Sequence, residues 1–137
     1  MRTSGRAGLA TAVALIISGC APDVSIEIRS GSTAEALVFD LADPARGGPA
    51  RVRAFSVWLC DNLADEPAME LYWRVTADGR EPVGLDSIEY GVVPVGFSAE
   101  GPARRLEEAH CYLADPGRGG VYFEVLDDGS VTDLPGP

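Results

Sequence analysis

The stretch Met69-Glu70-Leu71-Tyr72-Trp73-Arg74-Val75-Thr76 alternates apolar and polar side chains without a break. A period of two puts Met69, Leu71, Trp73 and Val75 on one side of a β-strand. It puts Glu70, Tyr72, Arg74 and Thr76 on the other. Ala77-Asp78-Gly79-Arg80 supplies the turn that ends it. Outward in both directions the pattern recurs. Val24 to Arg29 alternates and stops at Gly31-Ser32, and Ala36 to Leu41 gathers Leu37, Phe39 and Leu41 on one side. Arg51 to Cys60 starts polar and ends in Phe55-Ser56-Val57-Trp58-Leu59, which reads as burial on both faces. Ser87 to Val93 forms another strand, closed by Pro94-Val95-Gly96. Val121 to Leu126 and Ser130 to Thr132 flank Asp127-Asp128-Gly129, a hairpin with its glycine placed for positive φ. Trp73 and Phe123 fall on inward positions and read as core.

Residues 43–49 and 61–67 are loops by their turn residues. Pro102 to Leu113 reads in two ways. As a helix it starts at Pro102 and aligns Leu106, Ala109, His110 and Leu113 in a stripe. As a strand, the part around Cys111 pairs with the hairpin that follows. The strand is favoured near Cys111, and one short helix near 102–109 is compatible with both. About seven to eight short strands in a chain of this size predict an all-β fold, a single small antiparallel β-sandwich over residues 24–134. Residues 135–137 read as a frayed tail, with fraying starting at Leu134.

The first twenty residues follow other rules. Arg2 and Arg6 give a positive start, and Ala7 to Ile17 is uncharged and apolar. That run is too short for a hydrocarbon core of about 30 Å, but it suits the h-region of a secretory signal. It ends in Ile16-Ile17-Ser18-Gly19-Cys20, which resembles the lipobox of bacterial lipoproteins. The resemblance implies that residues 1–19 are a signal peptide, removed in the mature chain. It also implies that Cys20 carries a diacylglyceryl thioether and that its new amine is acylated, with fatty chains such as palmitate. Residues 20–23 are then a short tether to the membrane. Ala21, where inner-membrane lipoproteins tend to have Asp, implies the outer membrane in a cell with two. Apart from the resemblance, an ordinary cleaved signal or an uncleaved anchor fits the same residues.

The 137-residue chain has 21 acidic residues, 11 Arg, no Lys and 1 His. Its formal charge is −10, and removal of Arg2 and Arg6 takes it to −12. Phosphate backbones and anionic headgroups repel such a surface, so nucleic acid is excluded as a partner. Schiff-base chemistry is excluded for want of lysine, and multi-histidine sites for want of histidine. No cofactor is expected. With Cys20 lipidated, Cys60 and Cys111 allow one intramolecular disulfide, which an exported chain can keep.

Catalytic patterns are sparse. Gly96-Phe97-Ser98-Ala99-Glu100 lacks the second glycine of a nucleophile elbow and its βα context. His110 and Cys111 are neighbours whose side chains point apart on a strand. Asp61, Asp65 and Glu66 offer oxygen ligands suited to calcium, or plain solvation. Tyr72 and Tyr122 fall on outward positions and would make an exposed aromatic pair for a glycan or a protein, if their strands were neighbours. No catalytic residue is assigned.

Ile88-Glu89-Tyr90-Gly91-Val92-Val93-Pro94-Val95-Gly96-Phe97, followed by Leu106 and Cys111-Tyr112, is similar to small immunoglobulin- or transthyretin-like sandwich modules of bacterial surface proteins. Those carry a Pro-x-Gly-aromatic turn and a Leu-x-x-Gly-x-x-Tyr strand start; here Ala109 stands at the glycine. The resemblance implies the fold class, and the role of a spacer, binding unit or accessory part. The expected function is a lipid-anchored, non-catalytic binding or accessory module with an envelope protein or glycan as partner. A structural or stress-protective envelope protein without a ligand is the second reading, and an enzyme with unidentified carboxylates the third.

Overall fold

The computed structural model describes residues 24–60 and 69–135. Its regular elements are all strands: β1 (Ser25–Ile28), β2 (Val38–Ala42), β3 (Ala50–Val52), β4 (Ala54–Leu59), β5 (Glu70–Ala77), β6 (Val83–Leu85), β7 (Ser87–Glu89), β8 (Phe97–Ala99), β9 (Cys111–Asp115), β10 (Val121–Val125) and β11 (Val131–Leu134). They build three antiparallel sheets. One is β1-β2-β7, a second is β11-β10-β9-β4-β5-β8, and β3-β6 is a separate pair.

Phe39 of β2 meets Phe55 of β4 at 5.4 Å and Phe123 of β10 at 5.7 Å between ring centroids. The three-stranded sheet therefore lies over the six-stranded one, as a small sandwich requires. The ring contacts continue from Phe55 through Trp73 to Tyr90, and from Phe123 through Tyr112 to Tyr72. Aromatic pairs at such distances contribute about 0.5–1.5 kcal/mol each beyond the area they bury. Leu37, Phe39 and Leu41 are all buried, as the alternation of their strand predicts, and so are Trp73 and Phe123. Cys60 and Cys111 form a disulfide between the ends of β4 and β9, with Cα atoms 5.3 Å apart. Beside it the Cys60 amide donates to the Cys111 carbonyl at 2.9 Å.

Four expectations change. The strand expected over residues 51–60 is two strands. The chain breaks at Arg53, so that β3 pairs with β6 while β4 pairs with β5 and β9. The strand expected to reach Val93 ends at Glu89, because Gly91 takes φ 85° and turns the chain away. No helix forms near 102–109. Residues 102–107 form no regular element; Arg104 N–H donates to the Tyr72 carbonyl at 3.0 Å, and Leu106 is buried. That segment is spent on closing over the core rather than on coiling. Leu134 does not fray; it pairs with Tyr122 in β11. β9 does pair with the following hairpin, and Gly129 has φ 84° in its turn.

The start of β9 explains Ala109. It takes φ 64°, a left-handed backbone that costs a residue with a Cβ roughly 1–2 kcal/mol. That turn lets the Tyr112 hydroxyl reach back and accept the Glu107 N–H at 2.8 Å, a tyrosine corner of the kind found in immunoglobulin-type sandwiches.

Candidate binding face

The outer side of the six-stranded sheet is set by a β-bulge. Val57 pairs with Trp73, but the next residue, Trp58, pairs with Leu71, so Tyr72 is the extra residue on β5. Before the bulge the odd positions Trp73 and Val75 point inward; at the bulge Tyr72 turns inward as well. Tyr72 is only 4% exposed. Its ring meets Tyr112 at 5.2 Å, and the Arg104 guanidinium covers it at 4.2 Å. Glu70 holds Arg104 there through an ion pair of 3.0 Å, which raises the guanidinium pKa.

This corrects the expectation of an exposed Tyr72–Tyr122 pair. Tyr72 is core, and its strand lies three places from that of Tyr122 in the order β10-β9-β4-β5. Tyr122 does lie on the outer side, half-buried. Burial holds the core phenols protonated: the Tyr112 pKa is pushed up to about 12, and that of Tyr90 is also raised.

The bulge sends Leu71 outward instead. Leu71 pairs with Trp58, Trp58 with Leu113, Leu113 with Tyr122, and Tyr122 with Leu134. One apolar row thus crosses five strands at a single level, every member half-buried. Trp58 anchors it. Its indole N–H donates to Ser56 Oγ at 2.9 Å, which accounts for the burial of that serine, and the Arg74 guanidinium stacks 5.4 Å from its ring centre. Beside the row is an open hollow of ≈ 300 Å³, bordered by Ser56, Arg74, Thr76, Glu100 and Asp115 among others. Arg74 and Glu100 form an ion pair of 3.5 Å across it. The face combines apolar contact area with a few charged groups already held in place.

Trp58 was missed because the run 55–59 reads as buried throughout. The signal was there: Ser56 and Trp58 share parity opposite Phe55 and Val57, and a serine beside a tryptophan marks an outer face.

The other sequence candidates are scattered. Ser98 sits on β8 with its hydroxyl hydrogen-bonded to the Asp78 carboxylate. His110 Nε2 lies 3.9 Å from Glu107, and Cys111 is in the disulfide. Asp61, Asp65 and Glu66 lie outside the described residues. A larger hollow, ≈ 610 Å³, is bordered by Glu35, Arg105, Glu107, Glu108 and Asp128 among others. Asp128 is committed there to its own turn. It accepts from the Ser130 hydroxyl at 2.6 Å and the Ser130 N–H at 2.9 Å, which holds its pKa down. Among the described residues no three His, Cys, Asp or Glu side chains gather as a metal site would require. Among those residues, too, no helix is long and apolar enough to cross a membrane. No protein-family model, curated protein or solved structure matches the chain.

Proposed function

We propose that this chain is an exported, lipid-anchored module of the cell envelope that binds another envelope macromolecule and carries out no chemistry of its own. The observation that carries the reading is the apolar row Leu71–Trp58–Leu113–Tyr122–Leu134 on the open side of the sheet. An apolar stripe that reaches from β5 to the edge strand β11 has the makings of a contact surface. Three of its five members are leucines rather than aromatic rings on which a sugar could stack, which favours a protein partner over a glycan. The disulfide supports the export half of the reading, because such bonds persist outside the reducing cytosol. The lipobox-like residues ending at Cys20 support the anchor. Lipidation fixes location, the bridge and ring-filled core fix the scaffold, and the outer face makes the contact.

The test is crosslinking in native membranes, comparing the parent chain with the double variant Leu113→Ser and Tyr122→Ser. Both positions are half-buried on the outer side, so the variant is expected to melt lower than the parent, and the crosslinking is run well below its measured transition. A saturable crosslinked partner that the variant loses supports the reading. A partner retained undiminished by the variant refutes the face. The absence of any saturable partner, with a general envelope defect on deletion, moves the function to a structural role. Intact mass of the membrane-extracted chain tests the anchor separately: a chain starting at Cys20 with added acyl mass is expected. A chain starting at Met1 without lipid overturns it.

A further inference from the structure

A second apolar feature lies between β7 and β8, where Gly91-Val92-Val93-Pro94-Val95-Gly96 makes a tight knuckle. Val92 is 52% exposed, Val93 43% and Val95 96%. The knuckle holds them in water on a braced backbone. Gly91 and Gly96 take φ of 85° and 89°, values that a residue with a Cβ rarely adopts. Val92 N–H donates to the Glu89 carbonyl at 3.0 Å, and Phe97 N–H to the Pro94 carbonyl at 3.1 Å. From the neighbouring turn, Asp78 N–H donates to the Gly96 carbonyl at 2.9 Å. Pro94 has its φ fixed, and valine is stiff about χ1. Little conformational freedom is left to lose on docking, which favours rigid recognition elements.

Position and charge narrow the occupant. β1 and β7 run in the same direction on either side of β2, so β7 leaves the sheet at the end opposite Val24, where β1 begins. The knuckle therefore points away from the amino-terminal side. Asp78, hydrogen-bonded to Gly96, and Glu89, hydrogen-bonded to Val92, adjoin it and are exposed, while the nearby Arg104 is ion-paired to Glu70. A net-acidic rim on a chain of charge −10 is repelled by anionic lipid and attracted by a cationic protein rim.

We propose that the Gly91–Gly96 knuckle is a docking knob that seats its valines in an apolar pocket, rimmed by cations, on a partner protein. This inference stands on an observation separate from the apolar row and goes beyond the anchored-module reading.

The experiment places a photoreactive benzophenone residue at position 95 of the full chain in its native membranes, with position 99 on β8 as the control. Irradiation should give one discrete protein adduct from position 95. Its crosslinked peptide should contain apolar residues flanked by Lys or Arg. Adding Val92→Asp in the same chain should cut the adduct by at least about tenfold, equivalent to about 1.4 kcal/mol. The melting temperature should stay unchanged, since Val92 already faces water. An adduct indifferent to Val92→Asp overturns the proposal. So do adducts to lipid only, adducts to another copy of this chain only, or no adduct above the control. Acylation at Cys20 is read from intact mass on the same sample, so failure of the knob is distinguishable from failure of the anchor.

Discussion

Removal of the Cys60–Cys111 disulfide is the sharpest test of how this small sandwich is held together. The bridge spans 51 residues of sequence and joins the ends of two adjacent strands, β4 and β9. A cross-link closing a loop of that length lowers the entropy of the unfolded chain. At 25 °C the chain-entropy model puts its contribution at about 4 kcal/mol. Set against a total of about 5–15 kcal/mol for a domain, that is a large share. The variant Cys60→Ala with Cys111→Ala, in a chain lacking residues 1–20, is unfolded with urea and followed by tryptophan fluorescence. Trp73 is buried beside Phe55, so its emission reports the core. The extrapolated stability should fall by about 4 kcal/mol. The m value should rise, because the released unfolded chain exposes more surface. The melting temperature should drop by roughly 10–20 °C. The parent chain under reductant should behave the same way, which separates the bond from the loss of sulfur atoms in a buried site. A loss of less than about 1 kcal/mol in both experiments would refute the reasoning. The bridge would then be incidental to a core that is sufficient alone.

The remaining predictions concern the β9 corner and the buried phenols. Ala109→Gly relieves a left-handed backbone at a residue with a Cβ, and should stabilise the chain by up to about 1 kcal/mol in the same urea assay. An unchanged or lower stability would count against strain there. Tyr112→Phe removes the acceptor of the Glu107 N–H and should cost about 1–2 kcal/mol, with a nearly unchanged circular dichroism spectrum. With burial pushing the Tyr112 pKa up to about 12 and raising that of Tyr90, the folded state keeps protons that the unfolded state loses near pH 10. Stability should therefore be intact below about pH 10 and decline between about pH 10 and 12. Ionisation of Tyr112 and Tyr90 should come together with loss of far-ultraviolet structure; their ionisation near pH 10 in a still-folded chain contradicts the burial of these two rings.

What the sequence made legible was local. The β10–β11 hairpin was readable because Asp127-Asp128-Gly129 carries its own turn geometry. The strand face Leu37, Phe39 and Leu41 was readable because nothing interrupts its alternation. Tyr72 was misread because a bulge is a property of two strands, and the extra residue on β5 exists only relative to β4. Val92 and Val93 were misread because strand propensity favours valine, while the backbone at Gly91 decides where the strand stops. Ala109 broke the Leu-x-x-Gly-x-x-Tyr pattern, yet it adopts the left-handed geometry that a glycine there serves. The Tyr112 hydrogen bond and the packing of Leu106 outweigh its strain. The apolar row could not be seen at all, because its members come from five strands and share a level only once those strands are paired.

The strand order also governs when this chain can complete itself. In the six-stranded sheet β4 and β5 come from the middle of the chain, and the neighbour of β4 on its other side is β9. A chain delivered amino terminus first exposes the β4–β5 hairpin well before β9 arrives to cover it. Contacts of that sequence separation make folding slow, and unpaired strand edges invite association in the interval. Throughout it Cys60 carries a free thiol that can be captured by the wrong partner. On the export reading proposed above, the half-built sheet must be held apart until β9 has crossed, and oxidation must wait for the same moment.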